Sequence, residues 1–260
     1  MIVEHGLISF LQKFDEQPFL VKLGGKEYRI GEGEPTFTVK FNREIPLGDL
    51  LKSTSIALGE AYMNGDLEIE GDLYEALDHF LGQMGKFSTD QSALKKLMFT
   101  STSKKNQEKE VRSHYDIGND FCRLFLECAD KVLKKGGVFL LHFISALKEN
   151  PGDAWIKKYI FPGGTIPSLR EMITAMADYN FHTIDVENLR LHYNRTLRCW
   201  RKNYLEHLDE VRKMFDEKFI RMWELYLAAC AATFHNGIID LHQILMTKGI
   251  NNELPMVRWY

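Results

Sequence analysis

The sequence has few cysteines, no long apolar run and almost no net charge, and each shortage excludes a class of protein. Cys122, Cys128, Cys199 and Cys230 stand at irregular spacings without a Cys-x-x-Cys pair, which argues against a disulfide framework or a zinc knuckle. The longest charge-free stretch, Leu225 to Ile239, is interrupted by His235 and Asn236. It falls short of the roughly 20 apolar residues that a spanning helix needs. Lys and Arg number 33 against 36 Asp and Glu, a formal charge of -3, so nothing pulls the whole chain toward nucleic acid or an anionic surface. The N-terminal MIVEHGLISFLQKF lacks the basic start and apolar run of a secretory signal, and the expectation is a cytoplasmic protein. No His, Cys or carboxylate cluster has metal-ligand spacing, so no metal is expected, and no Gly-x-Ser-x-Gly elbow supports a hydrolase.

What remains is 260 residues, 45% hydrophobic and 27% charged, enough to bury one full core or two modest ones. Residues 1–86 read as a small α+β domain. A short helix leads into PFLVKLGGKEYRI and PTFTVKF, whose alternation around Gly24 and Gly25 implies a hairpin. Helices are expected over Leu50 to Asn64 and Tyr74 to Leu81, with a strand from Gly65 to Glu70 between them. Residues 87–110, containing STSKKNQEKE, lose apolar periodicity and read as a linker.

Residues 111–260 are α/β in style. Ala129 to Lys135 is helix-like, Gly136 and Gly137 stop it, and VFLLHFI has the length and composition of a buried strand in a parallel sheet. FHTIDVENLRLHY suits another strand, and Leu197 to Gly249 reads as helical, with Trp200, Tyr204, Leu208, Val211 and Phe215 at helical spacing. The single Gly-x-Gly, Gly31 to Gly33, leads into a strand-like run rather than a helix, so it reads as a turn and not a nucleotide loop. Arg190, Arg195, Arg198, Arg201 and Lys202, interleaved with aromatics, could face lipid headgroups or form a solvated helix start; Glu206, Asp209 and Glu210 follow at once and favour the second.

Several segments resemble one family: VRSHYDIGNDF at Val111 to Phe121, GGVFLLHFI at Gly136 to Ile144, KYIFPGGTIPS at Lys158 to Ser168, LRLHYNRTLRCW at Leu189 to Trp200, and LAACAATF at Leu227 to Phe234. In letters and order they are similar to the cyclopropane-fatty-acyl-phospholipid synthases, S-adenosylmethionine-dependent methyltransferases of lipid acyl chains. The likeness runs along most of the chain but jumps between Leu126 and Ala129. There the family pattern would continue through a Tyr-Ser-Cys-Ala-Tyr segment, a glycine-rich donor loop and a Glu-His segment. On the order of a hundred residues, the βα units that make a cofactor crevice, are missing. The implied fold is a truncated Rossmann-like methyltransferase domain behind a small N-terminal α+β domain.

The resemblance implies a reaction in which a cis double bond of an unsaturated phospholipid, met at a membrane surface, attacks the sulfonium methyl of S-adenosylmethionine. A bound bicarbonate then removes a proton to close the ring. His142, the backbone of Ile144 and Tyr193 match bicarbonate-holding positions, Tyr115 matches a tyrosine beside the reacting methyl, and Cys230 matches the family's active-site cysteine; no cofactor-binding motif is retained. The residues alone leave other readings open: a core histidine at His142, packed rings at Tyr115 and Tyr193, and a small buried apolar side chain at Cys230. A chain without its inner strands would expose an apolar edge around Val138 to Ile144, which implies a homodimer or aggregation. The alternative to an enzyme is a non-catalytic lipid-binding or oligomerising protein.

Overall fold

A computed structural model of the chain describes residues 2–84 and 122–255, apart from 149 and 151, and divides into two compact units. The first comprises the described residues of 1–103, 153–162 and 193–236, and the second those of 104–152, 163–192 and 237–260. The expected linker and all of Val111 to Phe121, including Tyr115, lie outside the described residues.

In the first unit, helix α1 (Ile2–Leu11) precedes β1 (Phe19–Leu23) and β2 (Lys26–Ile30), an antiparallel hairpin whose turn is made by Gly24 and Gly25 at φ 59° and 76°. Positive φ at both central residues matches the twist of the strands, which is why glycines stand there. Strand β3 (Thr38–Phe41) runs parallel to β1, and β4 (Leu67–Glu70) closes the order β2-β1-β3-β4. The expected helix over Leu50 to Asn64 is two helices, α2 (Leu47–Lys52) and α3 (Thr54–Met63). The chain breaks at Ser53, whose extended backbone and side chain cap α3 by accepting from the Ile56 N–H. Gly31 and Gly33 are a turn, as expected, both with positive φ.

Helix α4 (Leu73–Met84) follows, and against it packs a helix of 19 residues, Glu217–His235. Ala76, Ala228, Ala231 and Ala232 are buried, so the backbones approach closely. Phe19, Phe37 and Phe80 gather around His79 in edge contacts within 5.7 Å.

In the second unit, residues 122–132 form helix α5. It starts earlier than the sequence implied and passes straight through the Leu126 to Ala129 junction, with Leu126 fully buried against Leu141, Met176, Ile244 and Met246. Gly136 turns the chain at φ 74° into β5 (Val138–Ser145). Helix α6 (Ala154–Tyr159) belongs to the first unit, while α7 (Leu169–Asp178), opened by a Ser168–Glu171 capping box, leads to β6 (Phe181–Asn188). The long helix α8 (Arg190–Glu206) and the short α9 (Leu208–Val211) precede the 19-residue helix, α10.

Two strands differ from what the sequence implied. Asp240–Lys248, within the stretch read as helical, is the central strand β7, flanked by buried Leu241, Ile244 and Met246; helix α10 stops before it, with Gly237 at φ 65°. Strand β5 is also not a buried parallel strand: the sheet order is β5-β7-β6, β7 runs antiparallel to both neighbours, and exposure alternates along β5. It is an edge among the described residues. Trp200 and Phe215, which stand at helical spacing in the sequence, are about half exposed at 49% and 46%. The fold is mixed α/β.

Candidate functional site

Helical spacing places Tyr226, Cys230 and Phe234 on one face of α10, each four residues from the next. Tyr193, from α8, meets that face edge-on, its ring 4.9 Å from that of Phe234 and 6.1 Å from that of Trp200. What holds α8 there is Asn194, buried at 4% exposure, whose amide donates to the Ala231 carbonyl at 2.8 Å and to Tyr74 Oη at 3.1 Å. A buried amide that loses such partners is costly, so this clamp fixes α8 against α10.

Burial is the largest cause that raises all three titratable groups of this cluster. The Tyr193 phenol is pushed up by desolvation and then by Cys230, and Tyr226 by desolvation, Cys230 and Tyr193. The Cys230 thiol is pushed up to about 12 by burial and then by Asp153. At neutral pH the cluster therefore holds two O–H groups and one S–H: hydrogen-bond donors for a small oxyanion, not a thiolate nucleophile. Tyr226 was absent from the sequence reading, although its place four residues before Cys230 would have revealed it.

The remaining described candidates sit in the second unit. The Gly136 amide donates to the Lys248 carbonyl at 2.7 Å, and the Lys248 amide to the Gly137 carbonyl at 3.0 Å. This fixes the phase of β5: odd-numbered residues exchange bonds with β7, and even-numbered ones turn N–H and C=O away from it. The Ile144 amide points outward by that phase. His142 is not a core histidine; it is exposed, with Nδ1 2.8 Å from Gln243 Nε2, on the same face as exposed Val138, Leu140 and Ile144. Tyr193 and Cys230 thus belong to one unit and His142 and Ile144 to the other.

The basic stretch of α8 borders a groove of about 660 Å³ in the first unit. Arg198 lies 3.8 Å from Glu75 and over the Tyr74 ring, and Lys202 lies 3.8 Å from Glu206. Arg201 is clamped at 2.9 Å by both Asp72 and Glu224, and these ion pairs hold its charge against the burial that opposes it. Most of these cations are matched, as in a solvated helix start.

The mycolic acid cyclopropane synthetase family model matches residues 124–244, across the junction, with β5, α7, β6, α8 and α10 inside the match. Residues 124–244 are thus similar to the cyclopropane synthase family. The Escherichia coli K12 cyclopropane-fatty-acyl-phospholipid synthase is 36% identical over 135 residues, covering 52% of this chain and 35% of the relative. A probable fatty acid methyltransferase of Pseudomonas putida is 33% identical over 152 residues, covering 55% and 38%. The chain thus spans little more than a third of the length of these curated relatives. The structure of the cyclopropane synthase MmaA2 from Mycobacterium tuberculosis matches at 30% identity and a TM-score of 0.46, covering half of each chain. Residues 7–92 match a separate model, a domain of unknown function, DUF7884, so the family match is narrower than the sequence likeness implied.

The cyclopropane synthase resemblance carries S-adenosylmethionine with it, and neither the described Gly-x-Gly nor the N-terminus of α7 offers that donor a site. Gly31, in the one Gly-x-Gly, sits against the backbone of Asp15 and Pro18, where an added Cβ would lie 2.9 Å from the Asp15 carbonyl oxygen. That turn is packed on its own chain and follows a hairpin strand. In the second unit the N-terminus of α7 is closed by Glu171, which accepts from the Ser168 amide at 2.7 Å. A carboxylate stands where a polar ligand would seek amides.

Proposed function

We propose that this chain is a shortened, lipid-binding relative of the cyclopropane synthases that does not transfer a methyl group by itself. The observation that carries this is the bare face of β5, where Val138, Leu140 and Ile144 are 48%, 51% and 37% exposed beside His142. Alkene methylation leaves a cation that must lose its proton to a held base before water reaches it, so the site has to exclude water. His142 and the Ile144 amide, two of the bicarbonate-holding positions, stand at that exposed face. The lipid half of the reading is supported by the printed functions of the curated relatives and by the neutral phenol and thiol donors of Tyr193, Tyr226 and Cys230 among aromatic rings. An unsaturated phospholipid at a membrane surface is the partner this reading assigns.

The test uses S-adenosylmethionine with a labelled methyl group, bicarbonate, and vesicles of an unsaturated phospholipid. The expected result is that the chain sediments with the vesicles while the lipid gains no label over a protein-free control. Label in the acyl chains would overturn the non-catalytic half, and failure to sediment would overturn the lipid half.

A further inference from the structure

Among the described residues, the two edge strands of the second unit's sheet are built differently. Strand β6 carries Asp185 and Glu187 and is interrupted by a register shift between Thr183 and Asp185. Charge and a bulge are how edge strands avoid pairing with other chains. Strand β5, VFLLHFIS, has no Lys, Arg, Asp, Glu or Pro in its eight residues and keeps an unbroken register with β7 from Val138 to Ser145. One edge is made to face water, and the other has the composition of an interior strand.

We infer that β5 pairs with β5 of a second copy of this chain, antiparallel about a two-fold axis at Leu141. The outward N–H and C=O groups belong to Val138, Leu140, His142 and Ile144, as fixed by the Gly136 and Gly137 bonds with Lys248. An axis at Leu141 places Val138 opposite Ile144 of the second copy and Leu140 opposite its His142, so all four outward residues find partners. Antiparallel pairing brings such residues together in mutually bonded pairs, and isologous symmetry does so twice. The strand carries no Lys, Arg, Asp or Glu, and its two-fold pairing sets Leu140, not a second imidazole, opposite His142, so no like-charged pair arises along its length. The three exposed apolar side chains of each copy would then lie on one continuous six-stranded sheet, β6-β7-β5-β5-β7-β6.

Sedimentation of the full chain over a hundredfold concentration range tests this, with hydrogen exchange measured at both ends of the range. The expected result is a reversible dimer in which the amides of Val138 to Ile144 gain at least tenfold protection as it forms. Leu140→Lys places a charge at an exposed position, so it should keep the circular dichroism spectrum of the parent while shifting the chain to monomer. A monomer at every concentration would overturn the inference, as would a dimer that survives Leu140→Lys. A monomer with β5 amides protected independently of concentration would do the same, because a segment of its own chain would then hold the edge.

Discussion

Gly59 lies inside α3, and a methyl group added there would sit 2.4 Å from Trp155 Cδ1 and 2.5 Å from its Nε1. The indole cannot step aside cheaply. It is 4% exposed, and Nε1 donates to Met63 Sδ at 3.3 Å. Gly59→Ala therefore sets two effects against each other: an alanine inside a helix gains about 1 kcal/mol over glycine, while overpacking a filled site costs about 1–3 kcal/mol. Packing should win, for a net loss of about 1 kcal/mol, or roughly 2–4 °C of melting temperature in a chain of this size. Gly48, in α2, is the control, because a Cβ there meets nothing within 4 Å. Gly48→Ala should be neutral to stabilising by up to about 1 kcal/mol. Paired thermal and urea unfolding of both variants decides the matter. If Gly59→Ala proved as stable as Gly48→Ala, the close fit of α3 against Trp155 would be refuted.

Asn194→Leu removes both bonds to Ala231 and Tyr74 and should cost about 1–3 kcal/mol in urea unfolding, since it deletes two hydrogen bonds of a buried amide; a cost within about 0.5 kcal/mol, the scatter of surface changes, would remove the clamp. Burial pulls the His79 imidazole below its ordinary value, opposed by the Phe14 carbonyl that it bonds at 3.0 Å and by Asp15 and Asp78. The unfolded chain thus takes up a proton first: His79's contribution is intact above about pH 6.5 and is lost as pH falls toward the depressed native value, so the stability profile from pH 7.5 to 5 should be steeper in the parent than in His79→Gln. Iodoacetamide at pH 8 should label exposed Cys128 and Cys199 well before Cys122 and Cys230, whose thiols burial raises, and peptide mass mapping reads the order. Arg198→Glu should leave vesicle binding within about twofold, because that guanidinium is already spent on Glu75 and Tyr74; a salt-dependent loss would restore the headgroup reading of α8.

The hairpin at Gly24 and Gly25, the helix over Leu73 to Met84 and the strand from Phe181 were legible because alternation, glycine turns and helical spacing are local signals. Strand β7 was not. Buried on both faces at the centre of its sheet, DLHQILMTK shows no alternation, and its apolar residues also fit a helix that continues α10. The composition of β5 reads as an interior strand, yet the structure places it at a sheet edge, because whether a strand has a neighbour depends on residues distant in sequence. At the site, Tyr193 and Cys230 were legible through family likeness and do share one cluster. Asn194 and Arg201, which hold the helices in place, were hidden because a buried polar residue looks like a surface one until its partners are known.

The central claim is that these residues, on their own, hold no site for the methyl donor. Titration of the purified chain with S-adenosylmethionine in a calorimeter, with its intact mass verified across the Glu127 to Cys128 junction, tests it most directly. The account predicts no heat of binding up to about 1 mM donor, whereas a micromolar dissociation constant, worth about 8 kcal/mol of recognition, would contradict it.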